Sequence, residues 1–79
     1  MMSQPTPDIE DLVHLVRRQL GIREVRFEHE LQADLGAESI DIQNLVTAAE
    51  KRYDVRLEDE ELAELETVGD LLSLLRSKV

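Results

Sequence analysis

Apolar residues recur along this chain with helical spacing, in blocks separated by turn-forming and acidic stretches. Ile9, Leu12, Val13, Val16 and Leu20 fall three and four apart and so share one face of a first helix. Thr6 and Pro7 mark its start, the threonine as cap and the proline in the first turn. Asp8, Glu10 and Asp11 stand near its beginning and Arg17 and Arg18 near its end, each sign where the helix dipole favours it. Gly21 is the expected terminator. Ile42, Leu45, Val46, Ala49 and Tyr53 repeat the spacing, which predicts a second helix beginning at or just after Ser39. Leu62 and Leu65, three apart, are enough for a short third helix. Val68, Leu71, Leu72 and Leu75 predict a last one. Thr67, with Asp70 three residues on, forms a capping box at its start in which Asp replaces the usual Glu.

Residues 22 to 38 carry no sustained period. Ile22, Val25, Phe27, Leu31 and Leu35 are scattered through them, so the expectation is a long loop pinned to the core by these side chains, with a short helical turn around residues 29 to 34. A loop of this length in so short a chain tends to be functional. The reading is an all-α fold: an up-down four-helix bundle of three longer helices and one short one, with a long loop between the first and second. One domain covers residues 1–79, with residues 1–6 frayed.

Composition narrows the function classes. There is no cysteine, which excludes disulfides and thiolate metal sites. One Phe, one Tyr and no Trp argue against a large aromatic pocket. Eighteen acids against nine Lys and Arg give a formal charge of −9, which argues against nucleic acid and anionic membranes and favours basic partner surfaces. Screening this self-repulsion with salt should stabilise the fold. No apolar run is long enough to span a bilayer. "MMSQPTPDIED" lacks the basic start and apolar middle of a signal peptide, so a cytoplasmic location is expected. His14 and His29 lack metal-site spacing, and the acidic run Glu58 to Glu61 lacks that of a calcium loop and reads as a solvated helix start. No acid/base or nucleophile pair is visible, so a non-catalytic protein is expected, with no catalytic residue and no metal.

The stretch "DLGAESIDIQNLV", residues 34 to 46, is the most specific. A serine at a helix start is ordinarily a cap. The same spot also suits a covalently attached anion, because unpaired backbone N–H groups and the positive end of the dipole converge there. Local sequence by itself favours the cap and leaves attachment as the alternative.

The wider order of features carries more. A first helix ending in "QLGI", a loop ending in "LGAES", a second helix ending in "EKRYDV", the acidic "LEDEELAEL" and the closing "ETVGDLLSLL" together resemble the acyl carrier proteins, from about Ile9 to about Arg76. That family's motif is Asp-Ser-Leu after Leu-Gly-Ala or Leu-Gly-Gly, and its serine receives a 4'-phosphopantetheine arm from coenzyme A. The matching residues here are Glu38, Ser39 and Ile40. The resemblance implies that Ser39 bears the arm, that a phosphopantetheinyl transferase installs it, and that the protein is a monomer which shuttles thioester-bound acyl groups. Its partners would be acyl-loading, elongating or acyl-transferring enzymes with basic docking surfaces, met by Glu38, Ile40, Asp41 and Glu50. Asn44 stands where many members carry an acid, and Thr47, Lys51 and Arg52 thin the negative face further, which points to a dedicated partner set. Many members hold the acyl chain in the core; here Thr47, Ala49 and the leucines of the last helix would line such a space. The alternatives are a peptidyl or aminoacyl carrier, and an unmodified acidic interaction module of the same fold.

Overall fold

The structure, a computed structural model, describes residues 6–79. Four helices follow one another: α1 (Ile9–Leu20), α2 (Ser39–Tyr53), α3 (Asp59–Leu62) and α4 (Val68–Ser77). The all-α reading holds, with three longer helices, one short one and the long loop in the expected place. The fraying expected of residues 1–6 falls, apart from Thr6, outside the described residues.

The start of α1 corrects the expected cap. Asp8, not Thr6, caps the helix: its Oδ1 accepts the Asp11 N–H at 2.9 Å. Pro7 precedes the cap and is buried. Having no N–H, it can take that place without orphaning a donor. At the other end Gly21 adopts φ 67° and its N–H returns to the Arg17 carbonyl at 2.9 Å, a left-handed stop that suits glycine.

The core gathers Leu12, Leu15 and Val16 of α1, Leu45, Val46, Ala49 and Tyr53 of α2, and Val68, Leu71, Leu72 and Leu75 of α4. Each fully buried leucine contributes about 1.5–3 kcal/mol relative to exposure. Leu15 lies outside the single stripe read from the sequence. It is buried because α1 packs against both α2 and α4, which widens its apolar face. Contacts at the helix ends set the directions. Asp11, in the first turn of α1, meets Arg52 and Tyr53 at the end of α2. Arg76, near the end of α4, donates from Nε to the Pro7 carbonyl at 3.2 Å. So α1 runs antiparallel to both, and its C-terminus shares one end of the bundle with the N-termini of α2 and α4.

The capping box of α4 forms as read. Thr67 Oγ1 accepts the Asp70 N–H at 3.0 Å, and Asp70 Oδ2 accepts the Thr67 N–H at 3.0 Å and the Glu66 N–H at 3.1 Å. Thr67→Ala should cost about 1 kcal/mol, visible as a lower urea midpoint at unchanged slope; an unmoved midpoint would mean the box contributes nothing.

The long loop is held by the backbone as well as by side chains. Leu31 N–H donates to the Glu66 carbonyl (2.8 Å), Val68 N–H to His29 (3.0 Å) and Gly69 N–H to Phe27 (2.9 Å), around an antiparallel bridge between Glu30 and Thr67. A helical turn follows, in which Asp34 and Leu35 both donate to the Glu30 carbonyl, a residue beyond the expected window. Val25 and Leu31 are buried, and Ile22 and Leu35 half-buried, as pins. Phe27 is not a pin of that kind. It is 52% exposed and its ring lies over Gly69, where a Cβ would come 2.5 Å from Cζ. The missing side chain at Gly69 is what lets the aromatic ring rest on the helix.

Candidate functional site

The exposed serine stands where the loop enters α2. Gly36 adopts φ 72°, a left-handed conformation that glycine takes without strain. Ala37 then turns inward, buried, with its N–H on the Leu31 carbonyl at 2.9 Å. Glu38, Ser39 and Ile40 follow, all exposed. Glu38 is the cap residue, in extended backbone, and its N–H donates to Asp41 Oδ2 at 3.0 Å. Ser39 is the first residue of the helix. The structure therefore corrects the local reading of Ser39 as the cap: Glu38 holds the cap position, and Asp41 reaches back from inside the first turn to accept its N–H. The serine hydroxyl takes no part in starting the helix.

This geometry fits an attached phosphodiester. The N–H groups of the first turn have no carbonyl behind them within the helix, and the dipole's positive end lies there. Glu38 and Asp41 flank the serine, so the backbone of the helix start, not a cationic side chain, would hold the phosphate.

The other sequence-predicted residues spread out along α2. Ile40 is 57% exposed beside Ser39. Asp41 is half-buried. Glu50, nearly three turns on, is half-buried, and its Oε2 accepts the Leu57 N–H at 2.8 Å, tying the end of α2 to the approach of α3. Arg52 does not thin the exposed face of α2. It turns to α1, where its guanidinium grips the Asp11 carboxylate in a fork, Nε at 2.6 Å from Oδ2 and Nη2 on Oδ1, while the Tyr53 hydroxyl donates to the same carboxylate. Sequence reasoning missed this cluster, although Arg52 lies three residues past buried Ala49, on the flank of the core face.

The cluster also sets titration. Arg52's hydrogen bond holds Asp11 below the ordinary carboxylate range, aided by the Tyr53 hydroxyl and against the effect of burial. Burial first, and then Asp11, push Tyr53 upward. Lys78, 2.8 Å away, lowers Glu61, and the Thr67 N–H lowers Asp70. A carboxylate depressed in the fold contributes stability that is complete above its unfolded value and lost as pH falls through the folded one. Thermal stability should therefore fall once pH drops below about 4, the ordinary carboxylate value, and melts followed by circular dichroism across pH 7 to 2 check it. Unchanged melting down to pH 2 would contradict these shifts.

A cleft of about 520 Å³ opens between α2 and α3. Ile42, Val46, Leu57 and Leu62 give it an apolar floor; Gln43, Thr47, Glu50 and Asp59 stand at its edges. This is not the space expected from the sequence. Ala49, Leu71, Leu72 and Leu75 are buried in the core, Leu74 is half-buried beside a separate hollow between α3 and α4, and of the expected lining only Thr47 faces this opening.

The site is thus an exposed serine on a helix start, reached by a long tied-down loop in a four-helix bundle. Residues 10–75 match the family described as the phosphopantetheine attachment site. The acyl carrier protein of Clostridium acetobutylicum is 34% identical over 70 residues, spanning 86% of this chain and 91% of the relative. That of Exiguobacterium sp. is 32% identical over 71 residues, spanning 87% and 90%. The solved acyl carrier protein of Thermotoga maritima superimposes with a TM-score of 0.75 at 30% identity, covering 87% of this chain and 82% of that one. The chain belongs to the acyl carrier proteins, whose cofactor is 4'-phosphopantetheine. Among the described residues no helix is long and apolar enough to cross a membrane.

Proposed function

We propose that Ser39 is the residue that receives the arm, and that residues 1–79 act as one monomeric carrier domain in the cytoplasm. The observation that carries this is the placement of Ser39: first in α2, exposed, and one residue inside the cap position, which Glu38 holds. Once bound, the arm supplies a terminal thiol that holds acyl groups as thioesters. The chain's own residues perform no catalytic step; they present the serine, steady the phosphate at the helix start and meet partner enzymes.

Glu38 and Asp41 offer carboxylates to a transferase and to acyl-loading, elongating or acyl-transferring enzymes with basic surfaces, and Ile40 offers an apolar contact between them. Glu50 has one carboxylate oxygen engaged by Leu57, so its share in docking is smaller. From Ile42 to Ala49 α2 carries no charge, with Asn44 and Thr47 exposed there, and exposed Lys51 beyond them is a base and not an acid. This favours a dedicated set of enzymes in a polyketide or specialised lipid pathway over the general enzymes of fatty-acid synthesis.

The test is intact mass after incubation with coenzyme A, magnesium and a broad-specificity phosphopantetheinyl transferase. A gain of one phosphopantetheinyl group, mapped to the peptide holding residues 34–46, is expected. No gain on a protein shown by circular dichroism to be folded would favour an unmodified interaction module.

A further inference from the structure

The turn that seats Phe27 is closed by a side chain whose acceptor a proton can remove. His29 Nδ1 accepts the Arg26 N–H at 3.0 Å, and the His29 N–H donates back to the Arg26 carbonyl at 3.1 Å. Phe27 stands inside this turn, with its ring over Gly69 and its carbonyl on the Gly69 N–H at 2.9 Å. The His29 carbonyl takes the Val68 N–H, so the same residue joins the turn to the start of α4. An amide N–H can only donate, so Nδ1 must present the lone pair of a neutral ring. Protonation makes both ring nitrogens donors, and the Arg26 N–H and the Nδ1–H would then point at each other.

We infer that the turn over residues 26–29 is a proton-sensitive latch: the neutral imidazole of His29 holds Phe27 on Gly69, and protonation releases the ring and loosens the ties to residues 68 and 69. The charged groups about His29 lie on both sides of this crossing. Glu28 and Glu30 adjoin it in the chain, and the Arg26 guanidinium is turned onto Glu24. On the facing segment stand Glu66 and Asp70, the latter with one carboxylate oxygen taken by the Glu66 and Thr67 N–H groups. An imidazolium, a donor at both nitrogens, is served by such carboxylates and not by the Arg26 N–H, so the charged ring gains by swinging away. Once released, Phe27 uncovers Gly69, which is buried beneath it, at the end of the bundle that also carries exposed Ile40. The latch thus changes the apolar surface near the start of α2 in response to a proton.

The test follows the unmodified full chain by NMR from about pH 8 to about pH 5, the range in which imidazoles ordinarily change charge. The carbon-bound ring protons of His29 report its protonation. In the native chain the cross-peaks between the Phe27 ring and the Gly69 α-protons should be lost, and the Arg26 amide should shift, in step with His29 and not with His14, which is exposed on α1. His29→Asn offers an oxygen in place of Nδ1 and has no ring to titrate, so its cross-peaks should persist at both ends of the range. His29→Ala should lack them at both. Gly69→Ala, whose Cβ would displace the ring, supplies the spectrum of the released state. Cross-peaks that survive protonation of His29 in the native chain would overturn the inference. So would a His29→Asn protein that loses them over the same range, or a His29→Ala protein that keeps them. The amides of Leu12 and Leu45 in the core should stay in place throughout, and their movement together with the cross-peaks would also overturn it. If alanine unfolds the chain, the native titration and His29→Asn still decide. None of these measurements uses the arm, so their outcome is separate from whether Ser39 carries it.

Discussion

Ser39→Ala should abolish the mass gain on treatment with transferase and coenzyme A while leaving the fold as stable as before. The two halves of this result are independent, and both follow from position. Alanine removes the only hydroxyl at the start of α2, so no acceptor remains there; the next serine along the chain, Ser73, lies on α4. At most other helix starts the same change would cost about 1 kcal/mol through loss of a cap. Here the cap bond runs from Glu38 N–H to Asp41, and alanine is the best helix former, so the unfolding midpoint should move by no more than about 0.5 kcal/mol. A mass gain that survived in the variant would place the arm elsewhere. A large drop in stability would mean that the serine does cap the helix in solution.

Asp11→Ala should have a large effect on stability for a change outside the packed core. The carboxylate joins α1 to α2 through two neighbouring residues, and its removal leaves them unequally placed. Arg52, 37% exposed, returns to water. Tyr53 cannot: it is 1% exposed, and its hydroxyl loses the acceptor that made burial tolerable. An orphaned buried hydroxyl costs about 1–3 kcal/mol, and loss of an acid from the first turn of α1 adds to that. Against a total of roughly 4–12 kcal/mol for a chain of this size, a loss near 2–3 kcal/mol should lower the melting temperature by about 10 °C or more. Tyr53→Phe removes the hydroxyl together with its need, so in the Asp11→Ala background it should recover part of the loss. Thermal melts of the two single variants and the double variant decide it; strictly additive losses would show that the hydroxyl and the carboxylate do not depend on each other.

Much of this architecture was legible in the sequence because it is local. The apolar spacings of α2 and α4, the Thr67–Asp70 box and the stop at Gly21 are each settled within a turn or two of chain, and the structure reproduces them. The start of α1 was misplaced because two local rules compete there. Proline in the first turn and aspartate as cap both fit "TPDIED", and the acceptor at Asp8 prevails. The same kind of signal was present at the site. Glu38 with Asp41 three residues on is the pattern of a helix start one residue before the serine, and it frees Ser39 from the capping role. What could not be read is what joins distant segments. The ties between residues 27–31 and 66–69 have no periodicity to announce them, the direction of Arg52 depends on how α2 is rotated against α1, and Phe27 lies on the surface because of a glycine more than forty residues away.

Those ties have a consequence for when the protein becomes usable. Synthesis delivers Ser39 well before Gly69, yet the loop leading to the serine takes its backbone partners from Glu66, Thr67, Val68 and Gly69. Contacts so far apart in sequence form late, after the entropy of closing the intervening chain has been overcome. A growing or truncated chain would expose the serine beside a loop that lacks its partners from residues 66–69, with the end of the bundle not yet assembled around it. An enzyme that recognised the assembled end of the bundle would therefore act on chains whose C-terminal helix is complete and pass over those in which it is not.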